Sequence, residues 1–401
     1  MNHWIEGLPA ELEYVLLLFV LFVVPRLLQR FRIPSAISAL ALGAAAGMGL
    51  GLFRQDSTVN LLSTLGIVSL FLFAGLDIDF RELRHSGPTL LEHLAIRVVL
   101  LLGVAFAARF GLNLEIQAAV LMALALTTPS TGFILDSLAS LGVDDRERRW
   151  IKSKAIATEL LALVVLFFAL QPPQLERALI AIFTLGLTVA LLPLFFRFFA
   201  SSVLPHAPKS EFAFLLMLAV MSALVTRALG AYYLIGAFVV GLTAQRFRSR
   251  MPAIASEQMV HAVELFASFF VPFYFFHAGL ELEREDFTLA SALLGLAFVA
   301  VVVPLRVALV ALHRRFSLGE PVGSGARIGI AIAPTLVFTL VIADILRERF
   351  ELSQTLFGAL IVFTIVNTLL PGWVLRIPPL ELESLHAPPA ASSSEGGQEG
   401  S

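Results

Sequence analysis

The chain has no cysteine in its 401 residues, so disulfides, thiolate metal sites and cysteine nucleophiles are excluded. It also has little charge: Asp, Glu, Lys and Arg fill 14% of positions against 58% hydrophobic, and the mean hydropathy is +0.87. A soluble domain carries roughly a quarter charged residues, so this balance excludes one and specifies an all-α polytopic membrane protein in a lipid bilayer. No GxGxxG or P-loop occurs, and no nucleophile arrangement or His/Asp/Glu cluster lies at membrane depth. No cofactor is therefore expected, control by a bound nucleotide is not expected, and an enzyme is the least favoured class. The net charge of −2 singles out no charged partner, and nucleic acid is not expected as one. The first apolar run lacks a basic n-region and leads directly into Pro25, Arg26 and Arg30, so it reads as a first span and not as a cleaved signal peptide.

Breaks at charged and Pro/Gly-rich stretches divide the chain into thirteen segments of near-spanning length, at 13–30, 35–53, 58–76, 88–110, 115–140, 150–171, 176–199, 210–228, 231–247, 260–280, 287–312, 322–346 and 352–375. Of the 28 Lys and Arg, 19 fall in the alternate connections that include Arg26, Arg146 to Lys154 and Arg246 to Arg250, and 7 in the other set. The positive-inside rule then puts the N-terminus outside and the C-terminus in the cytoplasm. Residues 376–401 are polar and rich in Pro, Ser and Gly, which predicts a disordered cytoplasmic tail.

Two pairs of stretches show a duplication. FAGLDIDFREL at 73–83 ends the third segment and HAGLELEREDF at 277–287 ends the tenth; TTPST at 127–131 lies inside the fifth and AIAPT at 331–335 inside the twelfth. Both pairs are offset by about 205 residues, or seven spans. An odd number inverts the copy, which predicts two inverted six-helix repeats joined by the seventh span, an arrangement of secondary transporters. Pro129 and Pro334 interrupt the fifth and twelfth segments, since proline removes a donor and clashes one turn back. The expectation is a pair of crossed broken helices, with Thr127, Thr128, Ser130, Thr131 and Thr335 supplying hydroxyls to freed backbone groups or to a cation.

The stretch AIATELLAL places Glu159 nine or ten residues into the sixth segment, ~14 Å deep and so near the midplane. A carboxylate there costs ~2.5–3.5 kcal/mol on insertion scales and is a functional candidate by default. Arg306, after Pro304, is the most central basic residue and the expected charge partner of Glu159; Arg97 lies a third of the way into its span. Asp136 is a possible pathway residue at the inner mouth. Asp77, Asp79, Glu281 and Glu283 mark span ends, Arg227 and Asp344 read as snorkelling or capping residues, His277 as an interfacial histidine, and Asn367, within the last span, is within reach of the core site but is not assigned to it.

At these residues the chain resembles the monovalent cation:proton antiporter superfamily, in the branch of Kef-type and NapA-type exchangers. The matching stretches are RIPSAISALALGAAAGMGLG, SLFLFAGLDIDFREL, SEFAFLLMLAVMSALVTRALGAYYLIGAFVVGLTAQ and FFVPFYFFHAGLELE, and it is their shared order that is specific. The resemblance maps the family's ion-binding carboxylate onto Glu159 and the other member of its acidic pair onto Thr158; its basic residue maps onto Arg306. The family's Arg-Gly-Glu element is replaced by Thr335-Leu336-Val337. It further implies a homodimer, a dimerisation domain from spans 1–3 and 8–10, a core transport domain from spans 4–6 and 11–13, and a linker helix at 176–199, together making an exchanger domain over 1–375.

The expected activity is antiport of Na+ or K+ against H+ by alternating access in the bacterial inner membrane. Glu159 is the cation ligand, and with one exchangeable acid the cycle is electroneutral. The reading from a different class is a transporter or channel for an organic anion or other solute, in which half-helix N-termini and Arg306 bind a carboxylate.

Overall fold

The computed structural model describes residues 10–78, 87–130, 145–171, 174–207, 209–228, 233–247 and 256–376. Among them are fourteen α-helices and no strand: α1 Ala10–Gln29, α2 Ser35–Ala44, α3 Ser57–Leu76, α4 Gly87–Gly111, α5 Ile116–Thr127, α6 Asp145–Ala169, α7 Leu175–Phe198, α8 Glu211–Ala228, α9 Tyr233–Phe247, α10 Glu257–Leu280, α11 Leu289–Leu318, α12 Val322–Ala331, α13 Leu336–Phe350 and α14 Gln354–Val374. Each of the thirteen expected segments contains helix. Among the described residues seven helices are long and apolar enough to cross a membrane, and α12 with α13, bent by 53° at their junction, makes up to eight. The shortfall has local causes. α5 and α12 stop just before their prolines, and α6 opens on the charged stretch DRERRWIKSK. The predicted tail lies outside the described residues.

Side-chain oxygens fix several helix starts by accepting an otherwise orphaned backbone N–H. Asp56 accepts from Val59 at 2.9 Å while Tyr14 donates to its other oxygen at 2.6 Å, so the cap of α3 also holds α1. Ser256, Thr288 and Ser353 cap α10, α11 and α14 in the same way. The end of α11 falls at Gly319, whose φ of 70° is the left-handed value that glycine adopts without strain.

Packing divides the helices into two sets. In one, α3 lies against α8, α9 and α10, α2 against α1 and α10, and α7 joins through α9; in the other, α11 packs on α12 and α14, α13 on α5 and α14, and α4 on α5 and α6. The sets meet through the Phe71–Phe338 edge contact and through polar ties at opposite ends. At one end Lys152 pairs with Asp77 at 2.8 Å; at the other Arg347 pairs with Glu283 and Asp286, both at 3.3 Å. Burial raises the Asp286 carboxyl above its usual range, while the N–H of Glu283 and Arg347 pull it back.

The two duplicated Ala-Gly-Leu motifs do equivalent work. A Cβ on Gly75 of α3 would strike the Phe238 carbonyl of α9, and one on Gly241 of α9 would strike the Leu72 carbonyl of α3. Seven helices away, a Cβ on Gly279 of α10 would strike the Leu40 carbonyl of α2, and one on Gly43 of α2 the Phe276 carbonyl of α10. Reciprocal glycines thus bring α3 onto α9 and α2 onto α10 backbone to backbone, as small residues do at helix contacts in lipid. Because the obstacle is a main-chain carbonyl, Gly241→Val and Gly279→Val are each expected to cost more than ~3 kcal/mol and to abolish the monodisperse peak in detergent gel filtration. Gly186→Val, at an exposed position with open space around it, is expected to leave that peak unchanged.

Candidate functional site

The site is built from the two proline breaks. α5 ends at Thr127, and Thr128 turns to an extended φ, ψ of −81°, 118° ahead of Pro129, as the residue before a proline must. α12 ends at Ala331, and the chain passes through Pro334 before α13 begins at Leu336. Each break frees main-chain groups that lipid cannot satisfy.

The breaks satisfy one another. Ser130 N–H donates to the Pro334 carbonyl at 2.9 Å, and Val337 N–H donates to Ser130 Oγ at 3.1 Å. Thr335, the residue before α13, makes no side-chain cap of its own, so Ser130 caps that helix from the opposite repeat. The Thr339 hydroxyl donates to the Ala125 carbonyl at 2.7 Å and lies 2.7 Å from Thr335 Oγ1. Asn367 Nδ2 on α14 donates to the Ala333 carbonyl at 2.8 Å and to Thr335 Oγ1 at 3.2 Å.

Arg306 sits between the two helix ends and is 2% exposed. Its hydrogen bonds go to the main-chain carbonyls of Ala333 (2.7 Å), Ile332 (3.3 Å) and Leu126 (3.4 Å). One guanidinium therefore meets the C-terminal carbonyls of α5 and of α12, where the two helix dipoles present partial negative charge. Its planar fork of five donors allows this; a lysine ammonium does not offer that geometry.

Glu159 is buried at 8% exposure within α6. Beside it the Thr158 hydroxyl donates to the Lys154 carbonyl at 2.8 Å and lies 3.0 Å from His93 Nε2 on α4. A cavity begins here and follows one face of α6 through Thr158, Lys154 and Trp150, ~12 Å of helix, with Pro129 and Ile332 also in its wall. Its other walls are His93 and Arg97 of α4 and His313 of α11. Lys154 Nζ lies 3.8 Å from the centre of the Trp150 ring and 3.4 Å from His313 Nδ1. The cavity thus reaches the crossing and stands next to the position of Glu159.

The residues singled out by sequence are distributed as follows. Thr127, Thr128, Pro129, Ser130, Pro334 and Thr335 gather at the crossing, Arg306 covers it, and Thr158 lines the adjoining cavity. The Thr127 hydroxyl is turned back onto the Ala123 carbonyl at 2.7 Å. Thr131 and Asp136 lie outside the described residues. Sequence reasoning put Asn367 within reach of the core site without assigning it there, and missed Thr339 and the lining residues His93, Lys154 and His313; Asn367 and Thr339 are both fully buried at the second break. For Asn367 the available signal was an amide in the middle of an apolar span. No comparable signal existed for Lys154, which reads as one of a run of basic residues at a span end.

The sodium/hydrogen exchanger transmembrane family model matches residues 16–379. The Na(+)/H(+) antiporter NhaS5 of Synechocystis is 25% identical over 73% of this chain, a match that spans 43% of that longer protein. A Methanocaldococcus jannaschii protein named "Probable Na(+)/H(+) antiporter 3" is 23% identical over 90% of this chain and 95% of its own length. Among solved structures, the sodium proton antiporter MjNhaP1 of M. jannaschii at pH 8 superposes with a TM-score of 0.66 over 91% of this chain and 95% of that one, at 15% identity, a likeness of fold.

The carbonyl contacts of Arg306 and the trans cap from Ser130 make separate predictions for stability. Arg306→Met removes charged donors from buried carbonyls and is expected to cost about 2–4 kcal/mol, with Arg306→Lys intermediate. Ser130→Ala is expected to cost about 1 kcal/mol through loss of the α13 cap. Thermal unfolding in detergent, followed by the loss of the gel-filtration peak, ranks the three; equal melting of Arg306→Met and wild type would refute the role given to the guanidinium.

Proposed function

Because the chain belongs to the sodium/hydrogen exchanger family of multi-pass integral membrane transporters, we propose that it exchanges a monovalent cation, Na+ or K+, for H+ across the membrane by alternating access. The observation that carries the proposal is a buried carboxylate, Glu159, next to a cavity that ends at two crossed helix breaks. The names of the relatives favour Na+ as the cation.

The chemistry follows from two exclusive occupants of one carboxylate. Ionised Glu159 attracts a dehydrated cation; protonated Glu159 has lost that charge. Arg306 already engages the carbonyls at both helix ends, so it falls to Glu159 and the hydroxyls of Thr127, Thr128, Ser130 and Thr158 to replace the hydration shell. An ionised carboxylate at membrane depth is costly, and either a bound cation or a proton lowers that cost, so the loaded forms cross and the empty ionised form does not. Coupling needs no further motor.

The movement fits the division of the helices. The set holding α4–α6 and α11–α14 carries the site and slides against the set holding α1–α3 and α8–α10, which supplies the contact between two copies in a homodimer. With the basic connections facing the cytoplasm, the Trp150–His313 cavity is the cytoplasmic mouth, the N-terminus is outside, and the membrane is a bacterial inner membrane. One exchangeable acid beside the permanently charged Arg306 gives one cation per proton and an electroneutral cycle.

Everted membrane vesicles with a respiration-generated pH gradient test this. Addition of NaCl or KCl is expected to dissipate the gradient in wild type and not in Glu159→Gln, with the rate unaffected by an imposed membrane potential. Dissipation that survives Glu159→Gln removes the site assignment, and acceleration by the potential removes electroneutrality.

A further inference from the structure

Among the described residues four basic side chains are buried around the crossing, Arg97, Lys154, Arg306 and Arg314, alongside the buried acid Glu159. Arg314 is matched by Glu320, whose carboxylate oxygens lie 2.6–2.8 Å from its nitrogens. Arg306 rests on three helix-end carbonyls. Lys154 has the face of Trp150 and the edge of His313. Arg97 is 7% exposed, lines the cavity and has no hydrogen bond or ion pair among the described residues. Glu92, the acid facing this region from α4, keeps a side chain 62% exposed and approaches His313 at 3.7 Å. A guanidinium with five donors and no acceptor is among the most expensive groups to leave in such a place.

The walls beside Arg97 suit an anion. Lys154 rises on the facing helix α6, so two cationic side chains border the same space, while the Thr158 hydroxyl and His93 Nε2 beside them are engaged with the Lys154 carbonyl and with each other. The same positive field repels a cation entering past Trp150 toward Glu159, which is at odds with a cation route unless something of opposite sign sits there. We propose that this cavity binds a small inorganic anion of the size of chloride, held by Arg97 with Lys154, as a resident ion that neutralises the route and is not itself carried. The functional part of the proposal rests on the exchange reading above; the binding part does not.

The binding part is tested on the purified full chain by thermal unfolding as gluconate, a bulky anion, is replaced by chloride at constant ionic strength, which holds screening fixed. Wild type is expected to show a saturable rise in Tm with chloride in the millimolar range, because a ligand bound only to the native state stabilises it. Arg97→Met is expected to lose that rise and, in gluconate, to melt no lower than wild type, since it removes a buried charge that nothing among the described residues pairs. Arg97→Lys is expected to keep the rise at a several-fold higher chloride concentration. A rise that does not saturate, or that persists in Arg97→Met, overturns the site. So does an Arg97→Met protein that is less stable than wild type in gluconate or fails to fold, because Arg97 then has a structural partner. In everted vesicles, Na+-driven dissipation of the pH gradient is expected to be several-fold faster in chloride than in gluconate for wild type and equal in the two for Arg97→Met. Absence of exchange in both media removes the exchange reading and leaves the unfolding result to decide on the anion. Arg97-dependent uptake of radiolabelled chloride into proteoliposomes would make the anion cargo and overturn its resident role.

Discussion

Two helices that stop inside a bilayer are tolerable only if something other than water takes their last carbonyls and first N–H groups, and the rest of this protein is arranged around that requirement. Arg306 takes carbonyls from both ends, and Ser130 gives the second repeat the cap that Thr335 does not provide. Each uncompensated group would cost several kcal/mol in lipid, so the crossing and its arginine come as a unit. The unit also bears on where the cation of the proposed exchange would bind. A crossing with bare carbonyls is itself a cation site. One whose carbonyls face a guanidinium is not, and affinity then has to come from a carboxylate nearby.

The helices that carry this unit and those that do not are each packed closely within their own set: a Cβ on Gly295 of α11 would strike the Ala359 carbonyl of α14, and one on Gly325 of α12 the Ala311 backbone of α11. α3 with α9 and α2 with α10 meet glycine against glycine, at a separation where a single methyl group collides with a carbonyl. Such contacts have no slack and define a rigid body. Between the two sets, by contrast, the polar ties among the described residues are few and sit at opposite ends, Lys152 with Asp77 and Arg347 with Glu283 and Asp286. Rigid interiors joined by a sparse interface are what a sliding motion needs, because interfaces repack more readily than close-packed cores deform.

How much of this was legible in the sequence depended on whether a residue's type was anomalous for its depth. Proline inside an apolar run is anomalous at once, and Pro129 and Pro334 located both breaks to within a residue or two. A duplicated Gly at a fixed offset is also anomalous, although its partners, Gly241 and Gly43, became visible only when helices were packed together. Arg306 was legible as a deep charge, but its acceptors were not. Main-chain carbonyls carry no residue identity, so reasoning over side chains alone looked for a carboxylate, Glu159, to answer it. His93, Lys154 and His313 were illegible for a different reason. Each is ordinary at a span end, and only the fold turns three span ends toward one cavity.

That convergence gives the absence of a second acid a physical meaning. Where Thr158 stands, the family's pattern often has an acid, which would pair with the base at Arg306 and lower the positive charge of the interior by one. Threonine supplies a hydroxyl, bonded here to the Lys154 carbonyl and to His93, and no charge. The helix-end carbonyls compensate Arg306 in place of the missing carboxylate, but dipoles carry no net charge, and the excess passes on to the cavity where Arg97 and Lys154 lie. In the proposed exchange, a cation approaching Glu159 meets those charges first. In the proposed cycle the threonine that leaves one exchangeable acid at the site also leaves its approach positive, and the two consequences cannot be separated by changing Thr158 alone: Thr158→Asp would restore an acid and lower that positive charge by one in a single step.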